Sequence, residues 1–147
     1  MIYRRLDWYL DKRDMYADTM QGFRRGRSSI DGVIDLVTYI QQEQHQRRIT
    51  VAAFLDIKGA FDYVTHEAIL QALREVGIGG RLYEWIRSYL TGRSIYMSTH
   101  DGDTPQHLVT RGVPQGGVLS PILFNITLIL LAMTLPSTVK ASFYSSN

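Results

Sequence analysis

The sequence predicts an α+β fold, and three observations predict it. Apolar residues recur at helical spacing over 69–76 and 82–90; strand-forming runs occupy 49–55, 94–99 and 106–110; turns bearing glycine or proline punctuate them. The chain has 147 residues, 45% of them hydrophobic and 20% charged, about one domain's worth with apolar mass enough for a core. That balance excludes a disordered tail. Sixteen Lys and Arg, thirteen of them Arg, stand against fourteen Asp and Glu, and a net charge of +2 does not by itself argue for nucleic acid. The absence of cysteine excludes disulfides, thiolate nucleophiles and Cys-based zinc sites.

Taken in order, residues 2–20 read as a helical arm with Leu6 and Leu10 four apart. Residues 21–27 break that pattern with Gly22 and Gly26 among Arg24, Arg25 and Arg27, and read as a loop. Ser28 and Asp31 have the spacing of a capping box, and Ile30, Val33, Ile34, Val37 and Ile40 follow as an apolar stripe. Polar residues 41–48 mark a boundary between subregions 1–48 and 49–147. Residues 49–55 form a continuous apolar run, the pattern of a strand buried on both faces, which ends at Asp56.

Thr65 can cap the next helix, with Ile69, Leu70, Leu73 and Val76 inward and Gly77 just past its end. Leu82, Trp85, Ile86, Tyr89 and Leu90 give the stripe of a helix over 80–91, and these aromatics read as core rather than as a stacking platform. Runs 94–99 and 106–110 flank a loop and read as a β-hairpin. A glycine-rich turn, Arg111 to Gly117, precedes Ser120-Pro121, a helix start in which Ser caps and Pro takes the first position. Val139, Ala141 and Phe143 alternate as a last strand. The most apolar stretch, 122–135, is shorter than the roughly 20 residues a membrane helix needs. With no signal-like N-terminus either, an intracellular location, cytoplasm or nucleus, is expected, with no membrane partner.

Three places invite chemistry. Asp56 closes an apolar strand, where a carboxylate needs a partner, a hydrogen bond or a metal; position alone leaves open whether it binds an ion or caps a turn. Arg24, Arg25 and Arg27 lie before a helix start, which suits a phosphate-bearing ligand, or else form a solvated basic loop. Val113 to Gly117 is a turn whose missing side chains let a ligand approach the backbone, or an ordinary turn. His45, His66, His100 and His107 lack ligand spacing, so a zinc site is not expected.

Four blocks in order carry a resemblance. They are Gln21-Gly22-Phe23-Arg24-Arg25-Gly26-Arg27-Ser28-Ser29-Ile30-Asp31 and Phe54-Leu55-Asp56-Ile57-Lys58-Gly59-Ala60-Phe61-Asp62-Tyr63-Val64-Thr65-His66, then Trp85-Ile86-x-Ser88-Tyr89-Leu90-Thr91-Gly92-Arg93 and Arg111-Gly112-Val113-Pro114-Gln115-Gly116-Gly117-Val118-Leu119-Ser120-Pro121-x-Leu123-Phe124-Asn125. Over residues 21–144 the chain resembles the reverse transcriptase domain of non-LTR (LINE-type) retrotransposons.

The resemblance implies a partial right-hand polymerase fold: helical fingers over 1–48, an incomplete palm over 49–147 with an antiparallel sheet backed by helices, and no thumb. It implies RNA-directed DNA synthesis by two-metal phosphoryl transfer, with an RNA template, a DNA primer, dNTP and Mg²⁺ as partners. Asp56 and the Ile57 carbonyl match the first metal position, and Asp56 is expected on a strand beside Tyr144. Phe61 matches a steric gate that selects deoxynucleotides by blocking a ribose 2′-OH. Gln115 and Gly116 match the loop packed against incoming nucleotide and template, and Arg24, Arg25 and Arg27 match the segment near the triphosphate. Asp62 matches a family position, or acts as a structural cap. Where the family carries two further carboxylates, this sequence has Ser146 and Asn147, a degenerate metal site with oxygen but no charge. The chain is therefore expected to be a truncated polymerase fragment, inactive alone. The alternatives are a non-catalytic RNA- or DNA-binding remnant and a retrotransposon fragment without function.

Overall fold

A computed structural model describes residues 1–16, 20–22, 24, 26, 28–136 and 138–143. Its helices are α1 (Ile2–Lys12), α2 (Ser29–His45), α3 (Ala60–Tyr63), α4 (His66–Glu75), α5 (Gly80–Leu90) and α6 (Ser120–Thr134). Its strands, β1 (Arg93–Ile95), β2 (Ser98–Thr99), β3 (Gly102–Asp103) and β4 (His107–Val109), form two antiparallel two-stranded ladders, β1 with β4 and β2 with β3. The mixture of helix and small antiparallel sheet is α+β, but the core is helix on helix.

α6 is apolar on every face, as a helix enclosed by others must be, and it buries Ile122, Leu123, Phe124, Ile126, Leu128 and Ile129. Against it lies α4 with Ile69, Ala72 and Leu73, while α5 packs on α4 with Tyr83, Ile86 and Leu90. Leu6 and Leu10 of α1 close the remaining side. The Tyr9 hydroxyl ties α1 to the far end of α4, 3.0 Å from the Gly77 carbonyl and 3.2 Å from that of Val76. Within α6, Asn125 is buried and its Nδ2 donates to the Gly22 carbonyl at 2.9 Å, which holds the chain before α2 against the core.

Local signals give the helix ends. Ser28 and Asp31 form the reciprocal capping box, with the Ser28 N–H 2.8 Å from the Asp31 carboxylate. Thr65 Oγ1 accepts from the Ala68 N–H at 3.1 Å. Gly77, at φ 79°, ends α4 in a Schellman turn: its N–H donates to Arg74 and that of Ile78 to Leu73. Ser120 departs from expectation, since its hydroxyl donates to the Pro114 carbonyl instead of capping α6. It fastens the preceding turn to the helix start.

The larger departures concern segments that need a partner. The strand expected over 49–55 is not among the elements, and Val51, Phe54 and Leu55 are 83–90% exposed. A strand is made by its ladder neighbour, and the expected neighbour lies elsewhere. Phe143 bridges to Met20, and its carbonyl accepts from Gln21 N–H at 3.0 Å. Residues 139–143 therefore contribute one bridge rather than a strand, and Tyr144 lies outside the described residues. The α2 stripe of Ile30, Val33, Ile34 and Val37 faces solvent, because no described element packs closely on it. In α5 the buried aromatic is Tyr83, while Trp85 is 44% exposed and stacks on Tyr89 at 5.6 Å. The hairpin forms in the expected place but breaks between its two ladders, where Thr104 and Met97 join through the Thr104 N–H and hydroxyl.

Truncation of Leu73, fully buried between α4 and α6, is expected to lower stability by about 2–5 kcal/mol. Val33→Ala on the solvent-facing stripe is expected to stay within about 0.5 kcal/mol of the parent. Urea unfolding followed by circular dichroism measures both, and equal losses would contradict this core.

Candidate functional site

Two segments about fifty residues apart are joined at one corner of the fold. Gly59 turns the chain at φ 60°, and its carbonyl accepts from Asp62 and Tyr63 at 2.9 Å each, which starts the single turn α3. After α3 the backbone extends and pairs with the glycine-rich turn. The Gly112 N–H donates to Val64 at 2.7 Å, the Val113 N–H to Phe61 at 2.9 Å, and Thr65 bridges to Arg111. This close approach demands glycine at 112. Its φ is 81°, and a Cβ there would sit 2.9 Å from the Asp62 carbonyl oxygen and 3.1 Å from that of Phe61.

Side chains lock the same junction. His66 is buried with Nε2 3.0 Å from the Gly112 carbonyl; a carbonyl only accepts, so Nε2 carries the proton. Gln115 Nε2 donates to Asp62 Oδ1 at 2.8 Å. The Phe61 ring leans on Phe124 of α6, centroids 4.6 Å apart, so the junction is anchored to the core. Gly117 allows Pro114, Ser120 and Tyr89 to crowd together, since a Cβ would meet atoms of all three within 3.1 Å. Beside the junction lies a cavity of about 290 Å³, whose polar wall is Asp62, His66, Arg93, Arg111 and Gln115.

The structure brings Phe61, Asp62, Gln115 and Gly116 into one neighbourhood. Asp56 and Ile57 lie outside regular structure and are exposed, and among the described residues Asp56 has neither a hydrogen bond nor an ion pair. Among those residues no three His, Asp or Glu side chains converge to hold a metal ion. Asp56 and the Ile57 carbonyl together offer one carboxylate and one neutral oxygen, a single negative charge that does not fit a pair of divalent cations. Ser146 and Asn147 lie outside the described residues.

Arg24 is half-buried, with its guanidinium 4.5 Å over the Tyr16 ring and Nη1 3.5 Å from the Met20 carbonyl. Tyr16 donates in turn to Asp7 at 3.1 Å; burial, and after it the Asp7 carboxylate, hold the phenol well above its ordinary pKa. Arg25 and Arg27 lie outside the described residues.

Sequence reasoning passed over His66, Arg93 and Arg111. Each sits in a block that carries the resemblance, yet His66 lacks ligand spacing and the two arginines lie on opposite sides of the hairpin, at positions 93 and 111. The available signal was the hairpin itself, which an arginine opens and another follows.

The reverse transcriptase (RNA-dependent DNA polymerase) family matches residues 1–144. The chain belongs to that family. The match includes the first twenty residues, which the resemblance read from the sequence left out. Among relatives, the chain is 33% identical over 142 residues to a retrovirus-related Pol polyprotein from type-1 retrotransposable element R2 of Popillia japonica, covering 93% of this chain and 20% of that protein. It is 29% identical over 126 residues to a probable RNA-directed DNA polymerase from transposon BS of Drosophila melanogaster, covering 86% of this chain and 14% of that protein. It is 30% identical over 105 residues to the RNA-directed DNA polymerase from mobile element jockey of the same organism, covering 71% and 11%. The chain thus spans a fifth or less of the length of these relatives. This reverse transcriptase chain is similar to polymerases of non-LTR retrotransposons.

Two glycines of the turn separate conformational need from close approach. Gly116→Ala, at φ 75° with open space around it, is expected to cost about 1 kcal/mol, and Gly112→Ala distinctly more because backbone oxygens block its Cβ. Comparison of urea midpoints checks this, and a Gly112→Ala variant as stable as Gly116→Ala would contradict the junction.

Proposed function

We propose that this chain provides the nucleotide- and template-facing part of an RNA-directed DNA polymerase from a transposable element, with residues 1–48 as fingers and 49–147 as part of the palm. The observation that carries the reading is the locking of residues 61–66 onto 111–115, which keeps Phe61 and Gln115 at one corner. In this reading the Phe61 ring lies under the sugar and excludes a 2′-OH, so deoxynucleotides are selected. Gln115 and Gly116 pack against the incoming base pair, and Asp62 holds the Gln115 amide so that its orientation is fixed before substrate arrives. Arg24, Arg25 and Arg27 face the triphosphate. Asp56 and the Ile57 carbonyl belong to the first cation position.

Ser146 and Asn147 stand where the second cation position needs carboxylates, and neutral oxygens leave the charge of divalent ions uncompensated. The 147-residue chain is accordingly assigned binding without chemistry: it holds template and nucleotide and does not join them.

A labelled single-stranded RNA is expected to bind the purified chain, with log K falling linearly against log salt concentration. Primer extension on an RNA template with Mg²⁺ and all four dNTPs is expected to give no product. Failure to bind RNA at low salt would overturn the reading, and template-dependent synthesis would overturn the assignment of binding without chemistry.

A further inference from the structure

The cavity beside the junction has a feature that the nucleotide-facing residues do not explain. Arg93 lies directly opposite Val109 in the β1–β4 ladder, so the two share a face of the hairpin. Arg111 is two residues beyond Val109, past the end of the ladder, where its backbone bridges to Thr65. Arg93, Val109 and Arg111 all line the cavity. Two like-charged arginines therefore border one recess, an arrangement that repels when nothing lies between.

Among the described residues no carboxylate forms an ion pair with either arginine. Arg93 has the Tyr89 ring, 5.4 Å away. Among the described residues Asp62 is the carboxylate on the cavity wall; it accepts from the Gln115 amide at Oδ1 and forms no ion pair with either arginine. The His66 ring nitrogen is likewise taken by the Gly112 carbonyl. What remains is a recess of about 290 Å³ bordered by two arginines, large enough for a tetrahedral oxyanion, the group that guanidinium recognises best.

We propose that Arg93 and Arg111 form a phosphate-binding site in this cavity, filled by a backbone phosphate of a nucleic-acid strand passing the Gln115 loop. The inference rests on the reading above that the chain holds nucleic acid, and it adds a contact that grips the strand away from the nucleotide. A backbone phosphate between the two arginines sets one negative charge against their two positive ones, which relieves their repulsion and draws the hairpin toward the strand. The same chemistry accepts a free polyphosphate, so the test carries both sources.

The experiment uses the full 147-residue chain, a fluorescent 20-nucleotide single-stranded RNA and inorganic tripolyphosphate. RNA binding is measured by anisotropy across salt concentrations for the parent, R93Q/R111Q, R93K/R111K, and R81Q/R87Q, which removes the same charge from exposed positions on α5. Circular dichroism confirms that each variant is folded. Removing the single phosphate contact that the two arginines share is expected to make the log–log salt slope shallower by about 0.7 on a single strand. R93K/R111K and R81Q/R87Q are expected to keep the parental slope. Unchanged RNA binding in R93Q/R111Q together with loss of tripolyphosphate binding would assign the site to free polyphosphate and overturn the strand contact. Parental binding of both probes by folded R93Q/R111Q overturns the site and leaves the polymerase reading standing. If the parent binds tripolyphosphate through these arginines but no RNA, the polymerase reading falls and the phosphate site stands; if it binds neither, both fall.

Discussion

Two backbone hydrogen bonds, Val113 to Phe61 and Gly112 to Val64, hold together the corner of this chain that carries Phe61 and Gln115. Neither segment has regular structure enough to fix itself. Residues 60–63 make one helical turn and residues 111–117 make a glycine-rich turn, and isolated pieces of that length do not persist in water. Each becomes rigid by pairing with the other. Gly112 permits the approach, His66 satisfies its carbonyl from within the core, and Phe61 rests on Phe124. The Gln115–Asp62 bond is an exposed refinement of a junction that the backbone has already made.

That junction also explains how the helical core serves the site. α4 begins at His66, immediately after the paired segment, and α6 begins at Ser120, whose hydroxyl fastens the Pro114 carbonyl. The two helices pack on each other, so their starts are held in register and the two turns preceding them are brought side by side. The core positions the site from below, while the hairpin of β1 and β4 forms one wall of the cavity next to it.

What was legible in the sequence is what local chemistry decides. The capping box of Ser28 and Asp31, the Thr65 cap and the Gly77 turn each depend on residues within one helical turn, and all three form. The apolar run at 49–55 has the composition of a strand, but a strand also needs a neighbour, and no spacing within the run says where that neighbour is. In the α5 stripe Ile86 and Leu90 are buried as expected, but Tyr83 rather than Trp85 is the buried aromatic; a helix with apolar residues over much of its circumference leaves its phase to the partner. In the site, Phe61 and Gln115 were legible only through a family resemblance. The bond from Gln115 to Asp62 spans 53 residues and leaves no periodic trace.

The most direct test of this account is amide hydrogen exchange, read residue by residue by NMR on the intact chain. The N–H groups of Gly112 and Val113 are predicted to be protected to the same level as the interior of α4, because they open only when the core does, while residues 50–58 exchange rapidly. Exchange of Gly112 and Val113 at the rate of residues 50–58 would show that the turn is not held, and the corner that joins Phe61 to Gln115 would not exist.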